Sequence, residues 1–432
     1  MSYYIKSFRN WFGVFGILLM AGCQPRITET TLGSGWASTS INAVSFRTNS
    51  IVSDGNWQFA AYYDSTGQVV LAKRTKSTGD WTIYPTNFAG NVTDAHNTIS
   101  IMLDGDGYLH MAWDHHGHPL HYARSREPYG VELDTLTMTG MGESNVTYPE
   151  FYKLPDGDLL FFFRDGMSGR GNLVINKYNL DDKKWTRLQD ILIDGEEQRN
   201  AYWQACVDVL GTVHLSWVWR ETWDVETNHD MAYARSTDGG KTWQRSDGTL
   251  YQLPINASTA EYALRIPQKS ELINQTSMTA DEDGRPFIAT YFRKDSLSFP
   301  QYQLIYHDGK QWQTEQVSDR KTGFSLSGGG TKRIPISRPK VLVDKKKVLV
   351  LFRDEERGSK ASAYEAGRAN LKQWSVPDLT LDDLGAWEPT YDTELWKRES
   401  ILHLFVQKVG QGDGEQLEEM PAEEVRVVEL KL

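Results

Sequence analysis

Six of the ten histidines fall in one stretch, DAHNTISIMLDGDGYLHMAWDHHGHPLHYARS, residues 94–125. Imidazole ionises near neutral pH and ligates metals, so this concentration has three readings: a zinc site, a proton-transfer site, or a surface loop. A zinc site needs side chains that converge, and His96, His115 and His116 are the candidate ligands. No pair of them has the i, i+4 spacing of a helical ligand pair, and Asp114 is the close carboxylate. DGDG at 104–107 has the look of a calcium-loop fragment, but a turn joining two strands explains it better. A structural zinc or calcium ion therefore stays open, and no cofactor is required. Proton transfer asks for less: an imidazole, a second ionisable group, and a nearby positive charge that makes the substrate acidic. Two further stretches supply these. VTYPEF (146–151) carries Tyr148, and FFFRDGMSGRGN (161–172) carries Arg164 and Arg170.

The chemistry that suits this set is β-elimination on a uronic acid. The C5 proton of a uronate is weakly acidic until its carboxylate charge is neutralised, and an arginine held against the carboxylate stabilises the enolate-like anion. A base then takes the C5 proton while an acid protonates the leaving O4, which leaves a 4,5-unsaturated sugar. His96 as base and Tyr148 as acid is the expected division, with His116 orienting substrate or sharing the acid role. A tyrosine deprotonated beside a cation is an alternative base. A glycoside hydrolase of the usual kind would need two carboxylates at a set separation. Asp64, Asp114 and Glu388 do not make a convincing pair.

These residues must be positioned by a repeat. An apolar strand, an Asp/Gly turn and a second strand recur seven times: SDGNWQFAAYYD (53–64), GDGYLHMAWDHH (105–116), LPDGDLLFFFRD (154–165), VLGTVHLSWVWRE (209–221), EDGRPFIATYFRK (282–294), DKKKVLVLFRDE (344–355) and TELWKRESILHLFVQK (393–408). Units often close on a turn ending in Trp, at Trp81, Trp185, Trp243, Trp312 and Trp374. STDGGKTW (236–243) fits the Asp-box pattern S-x-D-x-G-x-x-W. A period of roughly 50–60 residues holding several short strands predicts an all-β, seven-bladed β-propeller with four-stranded antiparallel blades. The alternation of apolar and polar residues leaves no competing helical segment. VRVVELKL (425–432) is expected to pair with the first or last blade, after an exposed loop at 410–424.

In such a ring, the start of each first strand and the end of each second strand share one rim. His96 then meets His115 and His116, with Tyr148 and Arg164 one blade further on. Four successive second strands end in arginine: Arg164, Arg220, Arg293 and Arg353. Their planar forks suit carboxylate and sulfate oxygens, although neighbouring Asp165, Glu221 and Asp354 could instead pair with them. Asn97 and Tyr202 fall on the same rim as candidate substrate contacts.

The combination of the 94–125 stretch, VTYPEF and FFFRDGMSGRGN resembles the seven-bladed propeller polysaccharide lyases, especially the ulvan lyases and the bacterial-neuraminidase-like repeat family around them. The resemblance implies that His96 and Tyr148 carry acid/base chemistry, that Arg164 neutralises the uronate, that His116 sits close by, and that Arg170 adds a substrate arginine. It implies endolytic cleavage of rhamnose 3-sulfate–uronic acid linkages in ulvan. Relatives on the same scaffold cleave non-sulfated rhamnosyl-glucuronate linkages, and one is a rhamnosidase.

The whole chain is consistent with export. Lys6 and Arg9 precede the apolar run WFGVFGILLMAG, too short to span a bilayer, and LLMAGC resembles a lipoprotein cleavage box. The expected organisation is a signal peptide at 1–22, lipidation on Cys23, a tether at 23–40, and one catalytic propeller at 41–432. The product would be a monomeric lipoprotein anchored to the outer membrane. Cys206 is then the sole remaining cysteine, a small buried hydrophobe rather than a disulfide partner. The net charge of −11 argues against nucleic-acid binding but allows an anionic polysaccharide wherever the local field is positive. Rival readings are a sialidase, with RIP at 265–267 and 333–335 in unsuitable places, and a non-catalytic surface glycan-binding lipoprotein.

Overall fold

The computed structural model describes residues 1, 27–76 and 79–431. The expected signal peptide and Cys23 lie outside the described residues. Within them the strands form six hydrogen-bonded sheets, one of nine strands, which divide along the chain into seven mainly antiparallel groups. The first holds Ile51–Asp54, Trp57–Tyr63, Gln68–Thr75 and Thr82–Ala89, and the second Ile99–Leu103, Leu109–Trp113, Tyr122–Ser125 and Leu133–Thr135. The third holds Val146–Lys153, Leu159–Met167, Arg170–Asn179 and Lys184–Ile193, and the fourth Asn200–Val207, Val213–Arg220, Asn228–Ser236 and Glu261–Leu264. The fifth runs Ser277–Ala280, Pro286–Phe292, Gln301–His307 and Trp312–Gln316. One parallel pair, Gly171 with Asn200, links the third group to the fourth.

Three expectations need correction. The sixth group has three strands, Lys340–Val343, Lys347–Arg353 and Ala361–Gly367; where a fourth was expected, only the isolated bridges Ser362–Asp378 and Glu365–Ser375 occur. Thr393–Glu399, read as part of a strand unit, is a helix, because Asp392 caps it by accepting from Leu395 N at 2.9 Å. Ile27–Gly35 is no tether. It is the edge strand of the last group, paired along its length with Glu423–Lys431, which in turn pairs with Ile401–Gln407. The two ends of the described chain are thus joined by one ladder.

Successive groups bury each other's faces. The first strand of each of the first five groups touches the first strand of the next, and the last group packs on both the sixth and the first. This explains a departure from simple alternation. Ile99–Leu103 and Leu109–Trp113 are buried at every residue, while the outer strand Thr82–Ala89 alternates with solvent. A strand covered on both faces needs no polar side.

The turns repeat as well. Asp64, Asp104, Asp208 and Asp281 each accept two backbone N–H groups, two and four residues ahead, at 2.8–3.0 Å. In two groups the same aspartate also holds a buried histidine. His110 bridges Asp104 (3.2 Å) and the Tyr122 hydroxyl (2.7 Å); His214 bridges Asp208 (3.0 Å) and the Tyr233 hydroxyl (2.8 Å). These Asp–His–Tyr chains are wholly buried and recur at equivalent positions, so they hold the fold. The Asp-box is also a turn device: Asp238 accepts from Thr242 N at 2.9 Å, and Trp243 is fully buried.

A cavity of about 840 Å³ runs among the first strands, lined by Asn49, Glu150, Trp203, Gln275, Lys340 and Thr390 among others.

Candidate active site

Four local structures converge around Phe46, a residue that also lines that cavity. Residues 93–98 form a tight turn in which Asp94 Oδ1 accepts from His96 N at 2.9 Å. The short strand His116–His118 pairs with Val146 and Thr147, which brings His116 alongside the next group. That neighbour strand breaks register between Thr147 and Glu150, and Tyr148 within the break has φ = +57°. A bulge with a left-handed tyrosine is a strained arrangement of the kind found at functional sites, since it re-aims a side chain that a regular strand would point elsewhere. Arg164 lies opposite Thr147 on the following strand.

The resulting cluster is compact. The His96 and His116 rings stack at 4.0 Å and 17°. Asp94 bridges them, with Oδ1 2.9 Å from His96 Nδ1 and Oδ2 2.6 Å from His116 Nδ1. The Phe46 ring stacks on His96 at 5.1 Å and meets Tyr148 edge-on at 5.3 Å. The Arg164 guanidinium sits 5.0 Å over the Tyr148 ring. Tyr202 stands 6.0 Å beyond Tyr148, its hydroxyl hydrogen-bonded to Ser168 Oγ at 3.1 Å and accepting from Arg220 Nη1 at 3.2 Å. Phe46 also lines the cavity, but none of the ionisable groups just named does.

Charge is distributed unevenly over these groups. Burial opposes protonation of His96, but Asp94 and Glu415 overcome it and lift the imidazole to about 9. Burial and the positive neighbour His96 keep His116 below the usual histidine range, against the pull of Asp94. Asp94 itself is held far below the carboxylate range, its two histidine contacts outweighing burial. Burial and Tyr202 raise the Tyr148 phenol, against Arg164. Burial would also raise Tyr202, yet Arg220 and Arg164 pull it down to about 7. Near neutral pH these shifts favour a protonated His96 and Tyr148 beside a neutral His116.

Arg164 is the unusual group. It is 2% exposed, its Nε has no hydrogen-bond partner, and it forms no ion pair among the described residues. An uncompensated buried cation is costly, and nearly every other buried arginine here is satisfied. Arg353 donates to the Ile334 and Trp387 carbonyls, Arg338 grips Glu388 at 2.5 Å, and Arg320 grips Asp354 at 2.6 Å.

The other expected rim residues divide. Arg220 sits behind Tyr202, tied to Asn228 at 2.8 Å and Asn274 at 2.6 Å, so it acts on the phenol rather than from the surface. Arg170 is exposed at the tip of the hairpin that carries Ser168. Four of the expected substrate contacts are engaged within the protein. His115 is fully buried, its Nε2 accepting from His121 N at 2.7 Å. Arg353 is a structural donor, and Arg293 is tied to the Lys269 carbonyl at 2.8 Å. Asn97 is fully buried and donates to the Asn91 carbonyl. The acids beside the arginines are engaged elsewhere: Glu221 pairs with Arg199 and His229, and Asp354 with Arg320.

Sequence reasoning missed Asp94, Phe46 and Glu415. Asp94 carried a local signal, an aspartate two residues before a histidine in a turn. Glu415 carried none, because its 410–424 loop read as exposed.

Asp94, His96 and His116 are close enough to be considered as metal ligands, their donor atoms lying within 4.8 Å of one another. The arrangement does not suit one ion. Both Asp94 oxygens are committed to the Nδ1 atoms, and the rings lie face to face instead of radiating from a common point.

Known proteins share this architecture. The chain resembles polysaccharide lyase Uly1, with a TM-score of 0.69 at 15% identity over 94% of this chain and 98% of that one. It also resembles a PL25 ulvan lyase bound to -[GlcA(1-4)Rha3S]-, with a TM-score of 0.67 at 14% identity over 93% and 95% of the two chains. In sequence it is 23% identical to an ulvan lyase of Alteromonas sp. (strain LOR) over 263 residues, 52% of this chain and 53% of that protein. It is 26% identical to the short isoform of ulvan lyase from the same strain over 179 residues, 38% of this chain and 33% of that one. The matches thus span a third to about half the length of these curated relatives. The model of the BNR repeat-containing family matches residues 57–320, more than half of the chain, and the chain therefore belongs to that family.

Proposed function

We propose that this protein is a polysaccharide lyase that cleaves an anionic, uronic-acid-containing glycan by β-elimination, and that its seven strand groups are the blades of one propeller closed by the Ile27–Gly35 strand. The observation that carries the reading is Arg164: a buried guanidinium with no carboxylate partner among the described residues, ringed by groups able to move protons. A uronate carboxylate bound there would compensate the charge and lose its own, which acidifies C5–H. The relatives named ulvan lyase, and the one bound to -[GlcA(1-4)Rha3S]-, point to rhamnose 3-sulfate–uronic acid linkages of ulvan as the substrate.

Within this reading the roles differ from those expected on sequence. A histidine lifted to about 9 is charged at neutral pH and makes a poor base. His116 is neutral, its Nδ1–H is held by Asp94, and its Nε2 lone pair is free among the described residues. We assign His116 as the base toward C5–H. Tyr148, whose hydroxyl makes no hydrogen bond among the described residues, protonates O4 as the glycosidic bond breaks. His96 places a fixed positive charge beside the developing enolate. Tyr202, with Ser168 and Arg220 behind it, orients the sugar, and exposed Arg170 meets the neighbouring sulfate. Export as a lipoprotein through Cys23 belongs to the same proposal.

The test is ultraviolet absorbance on mixing with ulvan, desulfated ulvan or a rhamnosyl-glucuronan, because elimination alone creates the conjugated double bond. A rise with ulvan supports the reading. New reducing ends without absorbance would indicate hydrolysis. Binding without either would indicate a glycan-binding protein.

A further inference from the structure

The loop between Ile401–Gln407 and Glu423–Lys431 does more than connect two strands. Gly412 N donates to the Gln416 carbonyl at 2.9 Å, which makes a tight turn with Glu415 at φ = +68°. The turn is fastened to residues 331–333. Gly414 N donates to the Thr331 carbonyl at 2.9 Å, Lys332 Nζ lies 2.7 Å from Asp413 Oδ2, and Thr331 N donates to Glu415 Oε1 at 2.5 Å. A left-handed glutamate is uncommon without a reason, and here the backbone turn aims its carboxylate inward. Glu415 Oε1 lies 3.1 Å from His96 Nδ1, and Oε2 accepts from Ala95 N at 3.2 Å. His96 Nδ1 therefore has carboxylates from two distant segments, 94 and 415, while Nε2 has no partner among the described residues.

We propose that Glu415 is a positioning residue for the active site: the 410–424 loop clamps the Nδ1 edge of His96 with a second carboxylate, which fixes the ring's tilt, keeps it cationic and leaves Nε2–H as the edge offered to substrate. The proposal rests on the lyase reading for its effect on turnover, but the clamp itself does not. One carboxylate is already shared, because Asp94 gives its other oxygen to His116. Two stacked imidazoles at 4.0 Å disfavour each other's charge, so Asp94 alone must serve a competing pair. Glu415 contacts only His96 of the two, and that asymmetry decides which ring carries the proton. The groups facing His96 are Asp94 on its own turn, His116, Tyr148, and Glu415 with the neutral Thr331 hydroxyl at 3.5 Å; Phe46 covers one ring face, with the Arg338 guanidinium 5.0 Å over the Phe46 ring. Arg164 reaches this group through His116.

The test uses Glu415→Gln in the full chain, which keeps side-chain size and a hydrogen-bond acceptor while removing the charge. Histidine resonances from ¹⁵N-labelled protein are followed against pH, together with kcat and KM on ulvan across the same range. The clamp predicts that the His96 midpoint falls by at least about one unit, the smallest shift an adjacent opposite charge usually gives. The alkaline limb of kcat should move down with it, while KM stays within about twofold. A His96 midpoint that does not move overturns the proposal, as does a kcat limb that stays put while the midpoint moves. If Glu415→Gln does not fold, Lys332→Met loosens the loop with Glu415 retained. It must shift the midpoint in the same direction by a smaller amount, and no shift in that variant also overturns the clamp. A midpoint that falls in a protein without lyase activity leaves the clamp standing and removes the functional reading.

Discussion

His96 and His116 lie face to face at 4.0 Å, one above the other on a shared aspartate. Two imidazolium ions cannot occupy that geometry comfortably, so the pair divides into one charged and one neutral ring. The account of the site follows from that division.

Asp94→Asn should affect both rings at once. It keeps the turn's shape but removes the charge that steadies His96 and the acceptor that fixes the His116 tautomer. A fall in kcat of about 10²-fold or more is expected, in the range of a lost positioned proton transfer, with little change in circular dichroism. Turnover within threefold of wild type would remove Asp94 from the site.

The pH profile has a definite sign. His116 must be neutral to act as base, so activity rises as pH increases through the range below the usual histidine value. His96 must stay protonated, so activity falls as pH passes about 9. The bell should therefore be skewed to mildly alkaline pH. Tyr202→Phe should reduce kcat/KM yet leave the rising limb in place. Loss of that limb in Tyr202→Phe would transfer the base role to Tyr202, whose phenol sits at about 7.

Stability is linked to the same group. His96 binds its proton more tightly folded than unfolded, so its contribution is fully present below the unfolded value near 6.5 and is lost as pH rises through about 9. Urea midpoints measured between pH 7 and 10 should decline across that window. In His96→Gln the decline should flatten, and an unchanged slope would contradict the shift.

Arg164 and Arg353 should respond oppositely to truncation. Arg164 has no ion pair or hydrogen bond among the described residues, so Arg164→Met should abolish turnover while leaving stability unchanged or higher by about 1 kcal/mol. Arg353 satisfies carbonyls of two loops, and Arg353→Met should cost about 1–3 kcal/mol of stability by leaving buried acceptors unpaired. Thermal denaturation of the two variants side by side distinguishes them.

The repeat was legible because several groups spell a turn locally: at Asp64, Asp104, Asp208 and Asp281 an aspartate accepting two backbone N–H groups is encoded within five residues. The set His96, His116, Tyr148 and Arg164 was legible because strand ends on one rim must meet. Contacts between distant segments were not. Glu415 reaches His96 only through the strand order of the last group, and Ile27–Gly35 looked like a tether because its partner is Glu423–Lys431. The four-arginine rim was over-read. Sequence places Arg293 and Arg353 beside Arg164 but cannot reveal that nearby carbonyls already occupy them. Helix Thr393–Glu399 was hidden because it fills the place of a turn between Thr390–Tyr391 and Ile401–Gln407, and its Asp392 cap decided the matter.

The most direct measurement is a difference in ultraviolet absorbance between wild type and Arg164→Met, each incubated with ulvan at matched concentration. The account predicts a steady rise for the wild type and none for the folded variant. A flat trace for the wild type, or an undiminished rise from Arg164→Met, would contradict it.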